Sequence, residues 1–458
     1  MRKTHMSKGE KILVTCVILA FLLMLALMVL TIAMNSAASG TLYTDPPFSL
    51  SALVSDMQEE TAVASPGDYV YPAFIGVSPF PDGTGISVGD NVLKELYDLL
   101  TPCLADGLMK APDEDTEEAW SEAAENGRSV YIRYHSALPV MVLQGAAVSI
   151  CGGTERTDSS SVLPVRELFL LLPDEQNGDC RILLRDSEGK IWRYLCDGRR
   201  EYPTLSAVLT FTESFPDSFF RFTLGGKGCT DTEPVFLERL RVRNMLLTPD
   251  TAVMIQENRN NHFKKLLRQF DFNPDKLSTH EEGDGTQVTV ESHGIFRMQS
   301  DRLTYNAGTD GGILLENFVG YKESYTPMDG LRAACTIVQN LRNMHTYYLG
   351  GDGELLLTEI SVTDGRLRIV LRYAFDNLLL DGCEPALELL VENDRVMLAD
   401  VYAVSIRALG DFSSAYLETG VLSSMSEDGR TRTDVTLTYP TDFKSSSIYP
   451  VWTMYREE

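Results

Sequence analysis

The chain has 458 residues, 44% hydrophobic and 23% charged, and its 65 Asp and Glu outnumber 40 Lys and Arg to give a formal net charge of −25. That length predicts two to four domains at roughly 100–200 residues each. The charge excludes a broad surface for nucleic acid or for anionic lipid and wall polymers, and it favours solubility or a local basic patch on a protein partner.

Residues 12–34, ILVTCVILAFLLMLALMVLTIAM, run without a charge and are long enough, at 1.5 Å per helical residue, to cross a hydrocarbon core about 30 Å thick. The preceding eleven residues carry Arg2, Lys3, Lys8 and Lys11 against Glu10. The positive-inside rule therefore predicts a single-pass protein of the cell membrane, with a cytoplasmic tail (1–11) and the bulk of the chain extracytoplasmic. A cleaved signal peptide competes with this reading; Ser36-Ala37-Ala38 would tolerate cleavage, but the apolar run exceeds a normal h-region. Leu19, Leu23, Ala26, Leu30 and Ala33 form a stripe that could pack on another helix in lipid.

Residues 35–69 read as a stalk rich in Ser, Ala, Pro and acids. An α+β domain is expected over 70–245. Asp90 caps a helix with Val92, Leu93, Leu96, Tyr97, Leu99 and Leu100 on its apolar face, which Pro102 breaks or kinks. A second helix starts near Pro112, with Asp113, Glu114, Asp115, Glu117 and Glu118 at its positive end and Trp120 as its core anchor. Strands are expected at 129–135, 140–150, 167–172, 207–212 and 219–224. Between them 181–195 forms a hairpin around Ser187-Glu188-Gly189. Its register sets Asp186 against Lys190, Leu184 against Trp192, Ile182 against Tyr194, and Cys180 against Cys196, a possible disulfide.

Two helix-plus-antiparallel-sheet units follow, over 246–325 and 326–458. The first has a stripe of Phe263, Leu266, Leu267 and Phe270, then strands at 287–291, 294–298 and 302–306. The second has Leu331, Ala334, Cys335, Val338 and Leu341, then strands at 354–363, 366–375, 387–392 and 395–404. Asp364-Gly365 predicts a type I′ hairpin pairing Val362 with Leu367, Ile360 with Ile369, Thr358 with Leu371 and Leu356 with Tyr373. The fold class is thus α+β: one transmembrane helix, an α+β domain and two similar units.

No catalytic constellation emerges. There is no HExxH, GxSxG, Walker loop or CxxC, and the six histidines (5, 135, 262, 280, 293, 345) are scattered. Ser187 and Lys190 match SxxK but sit across a turn rather than on a helix face. Gly83-Thr84-Gly85 with Gly89 lacks the spacing of a phosphate loop. Asp113 and Asp115 lack the later ligands of a calcium loop. Seven cysteines (103, 151, 180, 196, 229, 335, 383) follow the apolar run, an odd number without zinc spacing. Arg366, Arg368 and Arg372 lie on the outer strand face, either an acid-binding interaction face or a solvated one. No cofactor and no metal site are implied.

Several stretches carry a resemblance. The Trp120 helix followed by SVYIRYHSALPVMVL, then TQVTVESHGIFRMQSDRLTYNA, LRIVLRYAFDNLLL, LELLVENDRVMLADVYAV and the closing IYPVWTMY resemble the YycH/YycI family, of which the chain looks like a divergent member. The seven cysteines and the acid excess depart from that family's pattern. The resemblance implies a non-enzymatic extracytoplasmic regulator of a two-component system, similar to the proteins that modulate the WalK/WalR pair. Its implied partners are a sensor histidine kinase and a YycI-like protein, and it controls cell-wall metabolism. The alternative is an extracytoplasmic binding or assembly module in cell-wall synthesis, sporulation or secretion; a wall-directed enzyme comes third.

Overall fold

The computed structural model describes residues 65–78, 84–87, 90–125, 128–155, 163–172, 179–213, 218–223, 233–236, 240–249, 264, 267–274, 279–299, 301–308, 311–344, 349–415, 433–440 and 451–456, all within the compact unit Val63–Glu458. Among them no helix is long and apolar enough to cross a membrane; the 12–34 segment and the cytoplasmic tail lie outside the described residues.

The first half contains β1 (Pro72–Ser78), β2 (Thr84–Ser87), α1 (Asp90–Gly107), β3 (Asp113–Asp115), α2 (Glu117–Glu125), β4 (Ser129–Pro139) and α3 (Val140–Cys151). It continues with β5 (Pro164–Leu171), β6 (Cys180–Asp186), β7 (Ile191–Cys196), α4 (Gly198–Glu213), β8 (Ser218–Thr223) and β9 (Glu233–Phe236). These strands form an antiparallel sheet of order β3-β7-β6-β5-β4-β1-β2-β8-β9. Alternate residues serve two cores. Val130, Ile132, Leu168, Leu170, Ile182 and Leu184 meet Leu96, Leu100 and Leu104 of α1, with α3 beside them. Tyr131, Phe169 and Leu183 meet Trp120 of α2 on the other side. Cover on both faces explains why the middle strands read as continuous apolar runs.

Several sequence expectations need correction here. Residues 140–150 form helix α3, not a strand; Val140–Val148 are all buried, so no polar face marks the helical period. The strand expected at 207–212 is the end of α4. Asp113–Asp115 are not a first helical turn but the short edge strand β3, pairing with β7. The helix begins after Thr116, whose Oγ1 accepts the Ala119 amide at 3.3 Å. Pro102 lies inside α1 without ending it, and the Asp98 carbonyl that loses its helical partner accepts the Thr101 hydroxyl at 2.7 Å. Leu93, Leu96, Tyr97 and Leu100 are buried as expected, but Leu99 is 54% exposed.

The second half contains β10 (Leu240–Pro249), β11 (Thr279–Glu281), β12 (Gln287–Glu291), β13 (Gly294–Met298), β14 (Arg302–Ala307), β15 (Ile313–Leu314), α5 (Glu316–Val319) and α6 (Pro327–Met344). It ends with β16 (Gly350–Gly351), β17 (Glu354–Thr363), β18 (Arg366–Phe375), β19 (Leu378–Asp381), β20 (Leu387–Glu392), β21 (Arg395–Tyr402), β22 (Val404–Ala415), β23 (Thr433–Pro440) and β24 (Val451–Arg456). The two expected units share one twelve-stranded sheet, because β14 pairs with β21. β10 spans the expected boundary at 245 and pairs with β22. The stripe Leu331, Ala334, Cys335, Val338 and Leu341 is fully buried, and α6 lies on the sheet. Gly330 permits this approach, since a Cβ there would collide with Leu367. In the earlier stripe Leu267 and Phe270 are buried, while Phe263 and Leu266 lie outside the described residues.

Both hairpin registers begin as read. Cys180 faces Cys196, Ile182 faces Tyr194, and Leu184 faces Trp192, with Gly189 at φ +81°. Asp364 (φ +52°) and Gly365 (φ +76°) make the tight turn, with Val362 facing Leu367 and Ile360 facing Ile369. Beyond Ile360 a bulge at Thr358 shifts the register, so Leu357 faces Leu371 and Leu355 faces Tyr373, replacing the expected Thr358–Leu371 and Leu356–Tyr373 pairs.

Candidate functional site

The polar groups that stand out lie where the two large sheets meet. The turn between β18 and β19 is Asp376-Asn377, with φ +48° and +58°, a conformation Asp and Asn tolerate better than most residues. Asn377 is 7% exposed. Its Nδ2 donates to the carbonyls of Pro72 (2.7 Å) and Ala73 (3.3 Å) on β1, at a register shift in the β1–β4 ladder. That fixes the amide, so Oδ1 faces His135 Nε2 at 3.3 Å and must accept its proton. His135 sits in a second irregularity, between the Arg133 and Leu138 pairs of β4 with β5, which turns its ring toward Asn377. With Nε2 donating, Nδ1 is an enclosed acceptor with no hydrogen-bond partner. Burial of the ring, helped by the charges of Arg166 and Arg133 and opposed by the Asn377 bond, lowers its pKa to about 4.

Asp376, on the same turn, faces Arg243 of β10, whose Nε lies 2.9 Å from each carboxylate oxygen. The Arg243 guanidinium sits 5.1 Å from the Phe375 ring centre, and its carbonyl accepts the Tyr439 hydroxyl at 2.5 Å. One turn thus ties together β1, β4, β10 and β23.

A second junction joins α3 and α6. Asp329, 1% exposed, is the third residue of α6 and accepts the Thr326 amide and hydroxyl at 2.9 Å each, closing the helix start. It also pairs with Lys322 and with Arg332 Nη1 (2.9 Å), and Arg332 reaches Glu155 in the segment after α3. Burial alone would raise the Asp329 pKa, but the Lys322 bond and the Thr326 donors outweigh it and hold the carboxyl below its usual value. Beside this network Met328 fills the space left by Gly145.

The expected site residues fall elsewhere. Arg366, Arg368 and Arg372 share a face, but carboxylates and carbonyls of the sheet meet them. Arg366 Nε lies 3.0 Å from Glu392, Arg368 pairs with Glu359 and with Glu388 (2.8 Å), and Arg372 donates to the Cys383 carbonyl at 3.2 Å. Cys180 and Cys196 are opposed in register and both are buried. Lys190 pairs with Glu188 at 3.0 Å. Gly85 lies in β2, whereas Gly83 and Gly89 lie outside the described residues, as do Cys229, His5, His262, His345 and the stripe Leu19, Leu23, Ala26, Leu30 and Ala33. His293 Nε2 bonds the Phe270 carbonyl at 3.1 Å, between aromatic rings. Among the described residues no group of three or more His, Cys, Asp or Glu is placed to hold a metal ion.

The junction residues went unread in the sequence. Asp376-Asn377 between apolar runs is a turn signal that could have been found, but Arg243, His135 and Asn377 are joined only by the fold.

The fold defines the class: a mostly antiparallel α+β module built on two large sheets. That arrangement is shared with a solved structure, YycH from Bacillus subtilis, with a TM-score of 0.54 over 86% of this chain and 96% of that one, at 11% identity. No family model matches the chain, and no curated protein matches it in sequence.

Proposed function

We propose that the chain is a non-enzymatic, membrane-anchored extracytoplasmic regulator that modulates a sensor histidine kinase, as YycH-type proteins do. The observation that carries this reading is the YycH fold across nearly the whole of that neighbour. The uncharged 12–34 segment behind a basic flank supports the anchored topology. In this reading the partners are the kinase and a YycI-like protein, and Leu19, Leu23, Ala26, Leu30 and Ala33 provide contact within the bilayer. The module acts by binding one signalling state of the kinase more tightly than the other; a tenfold preference is about 1.4 kcal/mol. Arg366, Arg368 and Arg372 already have partners within the sheet, so an acidic ligand there must displace those contacts.

Tagged full-length chain, extracted from its native membranes in mild detergent, should bring down a sensor histidine kinase. Exchanging residues 1–34 for an unrelated span should weaken that recovery. Unchanged kinase output after both the span exchange and removal of the external part would refute the proposal. An eluate of wall-synthesis, sporulation or secretion proteins without a kinase would establish the assembly-module alternative.

A further inference from the structure

The junction between the two sheets contains a ring that cannot take a second proton where it stands. Asn377 Nδ2 is held by the carbonyls of Pro72 (2.7 Å) and Ala73 (3.3 Å), so the amide cannot turn over, and its Oδ1 accepts His135 Nε2 at 3.3 Å. The remaining ring nitrogen, Nδ1, is enclosed with no hydrogen-bond partner. A proton placed there would be a buried donor and a buried charge at once, and both are costly.

The charges around the ring do not offset that cost. Arg133 on the same strand and Arg166 on β5 add positive charge. Asp376, on the facing turn, is taken by Arg243 of β10, and β1 presents only the backbone of Pro72 and Ala73. Glu354, at the head of β17, is held above its usual range chiefly by desolvation, so it takes up a proton in the closed form and works with the opposite sign.

The backbone leaves the ring a way out. The β1 ladder on β4 stops at Tyr134, and the β5 ladder skips from Arg133 to Leu138, so residues 135–137 stand outside both. Facing them, the β18–β19 turn is anchored to β18 by two pairs alone, Phe375 with Leu378 and Ala374 with Leu379. Both partners of the contact are therefore segments that can move without undoing a sheet.

We propose that the His135–Asn377 contact is an acid-sensitive latch: protonation drives the ring out to water, frees the β18–β19 turn from β1, and loosens the seam while each sheet keeps its core. The ligand of this site is the proton itself, and the proposal stands apart from the regulatory reading. The sign follows from the ring's folded pKa of about 4, below the ordinary 6.5 that it regains once opened. Closure is fully favoured above about pH 6.5 and is lost as pH falls toward 4. Between pH 7 and pH 5 the opening equilibrium should rise about twenty-fold.

Hydrogen exchange of the full chain in detergent, read by mass spectrometry at pH 7 and pH 5 and corrected for the intrinsic pH dependence of amide exchange, tests this. Peptides spanning 70–78 and 375–381 should exchange about twenty-fold faster at pH 5, while peptides from the buried core of α6, residues 331–341, should not change. The His135→Gln variant keeps a neutral donor toward Asn377 and every carboxylate, including Glu354, and should lose the rise at the seam. A rise at the seam below about threefold, an equal rise in α6, or the same rise in His135→Gln overturns the proposal. Because seam and α6 are compared on the unsubstituted chain, a variant that fails to fold leaves the test standing.

Discussion

Replacing Asn377 tests whether the β18–β19 turn joins the two sheets. Asn377→Ala removes donors to the carbonyls of Pro72 (2.7 Å) and Ala73 (3.3 Å) and the acceptor of His135 Nε2 (3.3 Å). A buried hydrogen bond contributes about 1 kcal/mol net, and groups left unsatisfied cost more; one short and two long bonds make a loss of about 2 kcal/mol. The φ of +58° adds roughly 1 kcal/mol of strain for alanine, bringing the expected loss to about 3 kcal/mol. Asn377→Gly loses the same bonds without that strain, although its freer unfolded chain returns some of the benefit, so it should lie about 0.5–1 kcal/mol above the alanine variant. Urea unfolding followed by the fluorescence of the three tryptophans reads both values from midpoints at unchanged slope. If either variant unfolds within about 0.5 kcal/mol of the parent, the turn does not hold the sheets as argued.

Other perturbations follow from the same geometry. The folded pKa of His135 is about 4, below the ordinary 6.5, so the folded state keeps this ring neutral while the unfolded chain protonates. Its contribution is complete above about pH 6.5 and is lost as pH falls toward 4, by up to about 3 kcal/mol; the stability difference between parent and His135→Gln, followed from pH 7.5 to 4, should show this slope. Asp329→Asn leaves Lys322 and Arg332 facing a neutral group and weakens the helix start, for an expected loss of about 2–3 kcal/mol by urea unfolding. Glu155→Ala removes only the half-exposed outer partner of Arg332 and should cost less than about 1 kcal/mol in the same assay. Trp120→Ala empties the smaller core beneath α2 and should cost about 3–5 kcal/mol by thermal or urea unfolding.

Legibility in the sequence followed the range over which each feature is decided. The strands at 287–291, 294–298, 354–363, 366–375 and 387–392 begin and end where alternation and turn residues place them, because each is half-buried and bounded by local chemistry. The 180–196 hairpin register is equally local, set by one glycine at φ +81°. Residues 140–150 failed for the opposite reason: a helix buried all round and a strand buried on both faces look alike in composition. The bulge at Thr358 interrupts an alternation that the sequence carries through unbroken, so it leaves no local signal. Asp113–Asp115 resembled a helix start because acidic residues suit one, yet they also suit an edge strand, where charge discourages pairing with other chains. His135, Arg243 and Asn377 belong to three distant parts of the chain, so no window of sequence holds them together.

The pairing of β14 with β21 also has a consequence for how the protein is made. Arg302 waits for Asp400, 98 positions later, before its guanidinium and its strand find their partners. Any ribbon that β12, β13 and β14 make before β21 is synthesised has an unpaired border along β14. A growing chain of this kind gains from a holdase at its exit, and truncations that stop short of residue 395 should accumulate as aggregates rather than as a smaller folded product.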